Sequence, residues 1–217
     1  MHRYFVTGTD TDVGKTRAAA ALALALRTAG HVPTIVKLVQ TGLAPGAAGD
    51  AARAGDLAGV PHAELLRFPK AADPWSAALA AGATVRAAEL ANGLAAIGGP
   101  LVVEGTGGIM VPLNHREHLG DVAASARLEA IVVVGLRLGC LNHALLTLGL
   151  CRQLHLPIAG ALLVERWGAA DRSYRDDVTR TLQGKSRIFG ILPFAPAEAE
   201  SVEIGAKLFE PLVNRER

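Results

Sequence analysis

The sequence predicts a doubly wound α/β fold, a mainly parallel β-sheet with helices flanking both faces. Three observations lead there. The apolar runs LVVE at 101–104, AIVVVG at 130–135 and PIAGALLV at 157–164 are continuous rather than alternating, the pattern of strands buried on both sides. Segments rich in strong helix formers separate such runs. Glycine turns follow the carboxyl ends of several of them, the end at which sheets of this kind bind ligands.

Taken in order, Tyr4 to Thr7 forms a first short strand ending at Gly8, and KTRAAAALALALRTA, residues 15–29, forms a helix stopped by Gly30. Thr34 to Leu38 is a second strand. The following VQTGLAPGAAGD, residues 39–50, is too rich in Gly and Pro for a regular element and reads as a functional loop. Helical pieces follow around Asp50–Ala58 and Val85–Ile97, separated by the Pro-bearing RFPKAADPWSA at 67–77, which reads as surface structure. From Pro100 the pattern becomes regular: LVVE and a glycine loop, AIVVVG with a glycine turn and a long apolar helix, PIAGALLV, a helix through about Leu182, and RIFGILP at 187–193. This order places Gly8–Thr16, Lys37–Gly42, Glu104–Gly108 and Gly135–Asn142 along one rim of the sheet. With no internal repeat, low-complexity tail or linker, residues 1–217 read as a single domain.

Composition narrows the function classes. Half the residues are hydrophobic, with alanine prominent and aromatics only 4%, which suits helices packed closely on a sheet. Twenty-two Lys and Arg against twenty Asp and Glu leave a charge of +2, too near neutral for a nucleic-acid or anionic-membrane surface. Cys140 and Cys151 are the only cysteines, without a C-x-x-C pair, and no secretory leader precedes the first strand; a reduced, cytoplasmic setting is expected. No window reaches the roughly 18–20 apolar residues that cross a bilayer.

The chemistry concentrates in FVTGTDTDVGKTR, residues 5–17, which ends in Gly14-Lys15-Thr16, the tail of a phosphate-binding loop. Backbone N–H groups at the mouth of a helix, together with its positive end, cradle an anion; Lys15 adds a point charge and the Thr16 hydroxyl suits magnesium. The leading glycine, Gly8, stands one residue too early for G-x-x-x-x-G-K-[ST]. Magnesium takes further oxygen ligands, so carboxylates are expected at neighbouring strand ends. Glu104 closes the run LVVE and opens EGTGG, whose Gly105, Gly107 and Gly108 let backbone approach a ligand. Asp50 is a second candidate; Asp12 and Asp56 compete with it, and spacing leaves the three open. Lys37, one residue inside the end of an apolar strand, reads equally as a core-edge side chain or as a cation aimed at phosphate. Gln40, Thr41 and Gly42 make a small polar turn suited to a substrate.

Together GTDTDVGKT at 8–16, VKLVQTG at 36–42, VVEGTGG at 102–108 and VVGLRLGCLNHALLT at 133–147 resemble dethiobiotin synthetases, in order from near residue 4 to Pro193. The wider glycine spacing is that family's own form of the loop. The resemblance implies a P-loop NTPase-type fold, a nucleoside triphosphate, Mg²⁺, CO₂ and 7,8-diaminononanoate. An amine takes up CO₂ as a carbamate, the carbamate accepts the γ-phosphoryl group, and the second amine closes a ureido ring. By the same resemblance Thr16, Asp50 and Glu104 are metal ligands, and Lys15 and Lys37 stabilise carbamate and phosphoryl oxygens. The nucleotide meets Asp12, Val13, Gly14, Lys15, Thr16, Glu104, Gly105, Gly107, Gly108, Val164 and Pro193. Thr11, Lys37 and Thr41 meet the diamine. The family is a homodimer, so Gly139, Leu141 and Asn142 would meet the carboxylate tail of substrate bound to the other subunit. Asn142 also reads as an N-cap of its helix.

The chain departs from the family pattern with Val164 and Glu165 where an adenine-reading asparagine is expected, Leu38 where proline is common, and Arg137 for a frequent lysine. The competing reading is a partitioning or metallochaperone-like ATPase switch. Such switches commonly carry a second lysine inside the loop, whereas positions 9–13 here are Thr, Asp, Thr, Asp and Val, and no C-terminal amphipathic membrane helix is apparent. Cofactor-pathway amide synthetases would need an ammonia source for which the chain has no room. His115 and His118 in HREH read as a loop or helix start, His143 and Cys140 as packing, and Trp75 and Trp167 as packing or lid residues. Ser76, in a segment resembling a substrate-side loop, is a weaker candidate for the diamine.

Overall fold

A computed structural model describes residues 2–195 and 197–214. Seven strands form one sheet in the order β3-β2-β4-β1-β5-β6-β7, and every strand pairing is parallel. They are β1 (Arg3–Gly8), β2 (Thr34–Thr41), β3 (His62–Phe68), β4 (Leu101–Gly108), β5 (Glu129–Gly135), β6 (Ile158–Val164) and β7 (Ile188–Leu192). The helices are α1 (Lys15–Thr28), α2 (Asp50–Ala58), α3 (Pro74–Ala80), α4 (Ala87–Ala96), α5 (Leu119–Ser125), α6 (Cys140–Gln153), α7 (Arg172–Gln183) and α8 (Glu198–Val213). Continuous apolar runs are buried on both faces because helices cover both. One core joins Tyr4, Val6, Ile35, Val102, Ile131 and Leu162 to α1, α2 and α8. The other joins Phe5, Val36, Val103, Val132 and Leu163 to α3 through α7.

The alanines of α1 have a packing purpose. Ala18 to Ala23 are fully buried or nearly so, and Leu22 and Leu26 each contribute about 1.5–3 kcal/mol by burial. With so little side-chain bulk, α8 lies close enough that a Cβ on Gly205 would come within 2.7 Å of the Ala21 Cβ.

Several elements differ from the sequence reading. β2 continues through Gln40 and Thr41, so Lys37 stands in mid-strand rather than near its end, and only 42–49 is irregular. EGTGG is strand: β4 runs to Gly108, and Glu104 is paired in register with Lys37 and Val6. The segment read as surface structure holds the end of β3, with Phe68 buried, and then α3, whose first turn is capped by Asp73 accepting from the Ser76 amide at 2.9 Å. The sequence reading contained no β3, α3, α5 or α8. α8 is C-terminal but packs on α1, burying Val202, Phe209 and Leu212. Among the described residues no helix is long and apolar enough to cross a membrane.

Candidate active site

The phosphate loop is Thr9–Gly14, between the end of β1 and the start of α1. Its early glycine has a local cause: a Cβ on Gly8 would sit 2.7 Å from the Asp10 carbonyl oxygen and 2.8 Å from Val13 Cγ2, because the loop folds back over the strand end. Thr9 donates its amide to Val133 O at 2.9 Å, holding that fold to β5. Gly14 caps α1 in the left-handed region at φ 100°, with no side chain capping the helix, so the first amides of α1 are left for a ligand. Lys15 bends back so that Nζ donates to Asp10 O at 2.9 Å.

Around this loop four charged or polar side chains interlock. Thr16 Oγ1 donates to Glu104 Oε1 at 3.0 Å. Lys37 Nζ donates to the same oxygen at 2.8 Å, to Asp50 Oδ2 at 2.6 Å and to Gly105 O at 3.3 Å. The other carboxylate oxygen, Glu104 Oε2, is buried without a hydrogen-bond partner. Lys15, Lys37 and Glu104 are all buried. The two lysines respond in opposite ways. Burial is the main influence on Lys15 and lowers its pKa to about 8, with Glu104 opposing and Lys37 assisting. Burial acts on Lys37 in the same direction, but Glu104 and then Asp50 outweigh it and raise the pKa above the ordinary lysine value.

These groups open into a cleft of about 480 Å³. Of the residues expected at the site, Thr11, Asp12, Gly14, Lys15, Thr16, Lys37, Thr41, Asp50, Glu104 and Gly107 line it. The structure separates the three competing aspartates. Asp50 opens α2 beside Lys37, Asp12 is mostly exposed and paired with Arg166 at 3.0 Å, and Asp56 is exposed further along α2. Val13 is buried beneath the loop. Gly105 and Gly108 lie in β4, where a Cβ on Gly105 would meet the Phe5 ring at 3.0 Å and one on Gly108 would lie 3.2 Å from Gly8 O. Val164 and Pro193 stand together at the ends of β6 and β7, where Val164 and Leu192 are in register. Val164 is buried against the loop, since a Cβ on Gly14 would approach its Cγ1 to 3.1 Å. Its neighbour Glu165 is buried too; Oε1 accepts from Ala170 N and Arg175 Nη1 and Oε2 from Phe194 N.

Gly139, Leu141 and Asn142 lie outside this cleft. Gly139, left-handed at φ 93°, is the N-cap of α6; Asn142 is exposed in the first turn, so it is not the cap. Beside them Met110, Leu145 and Leu146 form an exposed apolar groove with His143. Ser76 is held in the first turn of α3 and does not line the cleft. Trp167 packs on Gly135 and under Arg137, whose guanidinium lies 5.3 Å from the ring centre. Cys140 is buried with Sγ 3.3 Å from the Tyr174 hydroxyl. His118 caps α5, its amide donating to Asp121 at 2.7 Å.

Sequence reasoning passed over Arg17, Arg53, Thr106, Arg166 and Glu198, all of which line the cleft. Glu198, at the start of α8, accepts from Arg17 at 3.4 Å and from Arg53 at 2.8 Å, closing one side of the mouth. Arg17 directly follows the loop threonine and Arg53 lies one turn after Asp50, so both carried a positional signal; Glu198 carried none.

A family model described as an AAA domain matches residues 2–200. An ATP-dependent dethiobiotin synthetase from Anaeromyxobacter dehalogenans strain 2CP-C is 42% identical over 79% of both chains. One from Mycobacterium sp. strain KMS is 38% identical over 95% of both. Among solved structures, a ParA-family ATPase from Chlorobium tepidum aligns with a TM-score of 0.57 at 17% identity, covering 100% of this chain and 95% of that one. The MinC:MinD complex of Aquifex aeolicus aligns at 0.59 and 12% identity, covering 100% and 96%. At such identities the structural likenesses establish the fold alone.

Proposed function

The chain belongs to the ATP-dependent dethiobiotin synthetase family and is a ligase of that kind, and we propose that the cleft beside the phosphate loop is where its ureido ring is closed. The observation that carries this reading is the interlocked set Thr16, Lys37, Asp50 and Glu104 beside Lys15 and the free helix amides. The substrates would be a nucleoside triphosphate, CO₂ and 7,8-diaminononanoate, handled within one domain over residues 1–217 and in the cytoplasm.

In the proposed course one amine of the diamine adds to CO₂ and loses a proton, giving a carbamate. A carbamate oxygen then forms a bond to the γ-phosphorus as the bond to the nucleoside diphosphate breaks. The second amine attacks the carbonyl carbon of this mixed anhydride and gives up a proton, and phosphate departs as the ring closes. No protein nucleophile is required; transfer needs positioning and charge compensation. Lys15 and the amides of Gly14 and Thr16 hold the phosphates, while Val13 underpins the loop. Lys37 faces both the carbamate and the transferring phosphoryl group. Thr11 and Thr41 orient the diamine, and Gly107 admits a close approach of its backbone. Val164 and Pro193 border the base.

The donor set suits Mg²⁺. Thr16, Asp50 and Glu104 offer hard oxygen ligands, and the unpartnered Glu104 Oε2 is a buried acceptor that a cation would satisfy. Among the described residues no cluster of three or more His, Cys, Asp or Glu gathers, so such an ion would need phosphate and water to complete its shell. Bound there, Mg²⁺ would neutralise phosphoryl charge.

Because Gly139, Leu141 and Asn142 lie outside their own chain's cleft beside the exposed Met110, Leu145 and Leu146, we assign them to a shared site in a homodimer. The α6 N-terminus of one subunit would bind the carboxylate tail of substrate held in the other. The direct test supplies 7,8-diaminononanoate, bicarbonate, Mg²⁺ and each nucleoside triphosphate in turn, and looks for dethiobiotin by mass spectrometry. Folded protein that forms none with any nucleotide sinks the proposal. Leu146→Arg should yield monomers by light scattering with a raised KM for the diamine; fully active monomers would contradict the shared site.

A further inference from the structure

Helix α2 begins without a cap of its own. Its N-cap residue is Gly49, which has no side chain to offer, yet the first helical amide, Asp50 N–H, is satisfied: it donates to Gln40 Oε1 of β2 at 2.9 Å. Gln40 is buried, and its other end donates from Nε2 to Thr41 O at 3.2 Å, which turns the carbonyl end of the amide toward α2. A second layer supports it from β3. Arg67, in register with Gln40, donates from Nε to Glu64 Oε2 at 2.9 Å and from Nη1 to Ala47 O at 2.8 Å. The Glu64–Arg67 pair thus grips the irregular 42–49 segment just before Asp50. The fit leaves no slack at Gly49: an added Cβ would fall inside the Glu64 carboxylate and lie 2.9 Å from Gln40 Oε1 and 3.0 Å from Arg67 Nη2.

We propose that Gln40, working with the Glu64–Arg67 pair that holds Ala47, is a positioning residue that keeps the start of α2 in place so that the Asp50 carboxylate faces the metal and phosphate site. This rests on the assignment of Asp50 as a metal ligand. It extends that assignment to residues on a neighbouring strand and on the strand beyond it. The physical reason is general: a carboxylate ligand that is held in place by its surroundings binds with less ordering cost, and loss of such supporting partners typically weakens metal affinity by 10–100-fold.

The test compares Gln40→Leu with Asp50→Asn in the full-length enzyme. Gln40→Leu is expected to raise the Mg²⁺ concentration for half-maximal activity about tenfold, more than it lowers kcat at saturating Mg²⁺. A second readout needs no turnover: hydrogen exchange in the metal-free, nucleotide-free protein should quicken at the Asp50 amide and leave α1 unchanged. If Asp50→Asn shifts the Mg²⁺ dependence and Gln40→Leu does not, the proposal is overturned while the ligand assignment survives. If Asp50→Asn leaves that dependence at wild type, the ligand assignment fails and the proposal with it. Should Gln40→Leu not fold, Arg67→Met removes the brace from its more exposed side. It should give the same shift in smaller measure, and an unmoved Mg²⁺ dependence there overturns the proposal equally.

Discussion

The phosphate-loop end and the proposed base end of the rim are built on different principles. At the phosphate end, buried charges hold one another: Lys37 bridges Asp50 and Glu104, Thr16 leans on Glu104, and one carboxylate oxygen is left over. At the proposed base end, Val164 turns a hydrocarbon surface under the loop, and the buried Glu165 is used up internally, joining β6, α7 and the segment after β7. The first region suits the charge that would develop in the proposed reaction, where fixed donors are worth most. The second is apolar and holds a structural carboxylate, engaged by Ala170, Arg175 and Phe194.

Substitutions at the phosphate end should therefore be the most damaging. Lys15→Ala and Lys37→Ala are each expected to lower kcat by about 10³-fold with circular dichroism unchanged, since each removes a cation proposed to meet the transferring group. Near-normal turnover in either would erase the contrast between the two ends. Glu165→Gln comes next. It weakens charge-assisted bonds worth about 1.5–3 kcal/mol, so the KM for nucleotide should rise about tenfold. The Mg²⁺ dependence and the KM for diamine should hold steady; if the Mg²⁺ dependence moved too, the ends would not be separable. Val164→Ala is milder still, costing about 2 kcal/mol of stability by urea unfolding because it opens space beneath Gly14. The ratio of kcat/KM among nucleoside triphosphates should not change, as neither side chain offers a base any polar contact.

The contrast also marks what could be read in advance. The strand runs, the glycine turns and Lys15-Thr16 are local features, and β1, β4 through β7, α1 and the phosphate loop follow from them. The Lys37–Glu104 pair does not, because it depends on β2 lying next to β4, and no local pattern states which strands are neighbours. That is why Glu104 reads as a strand-end group when it is an interior one. β3 escaped because HAELLRF is an edge strand of intermediate burial, and its Glu64 and Arg67 look like surface charges until the pairing with β2 brings them to the Asp50 loop. α8 escaped because prolines precede it and Pro211 lies inside it, both signs that ordinarily argue against a helix.

The smallest expected effect is a pH dependence, and it distinguishes the two lysines within the phosphate end itself. Lys15 is the one poised to titrate, at about 8 in the free enzyme. Phosphate binds its charged form and must raise that value, so above about pH 8 nucleotide binding takes up a proton and affinity should fall by up to about tenfold per pH unit. Below pH 8 this contribution is flat. Lys37, raised by Glu104 and Asp50, stays charged throughout and adds no slope there. Lys15→Met should abolish the falling limb, whereas wild-type affinity that stays level through pH 8 to 9 would show that Lys15 is not the titrating cation. Stability of the nucleotide-free fold must move the other way. Between about 8 and 9 the unfolded chain, whose Lys15 keeps the ordinary value of 10.5, holds more protons there than the fold does, so the fold gains stability as pH rises; above about 9 the buried Cys151 thiol, raised to about 11, opposes that gain. Affinity that falls while stability rises across one pH window is a pairing that a general loss of structure cannot imitate.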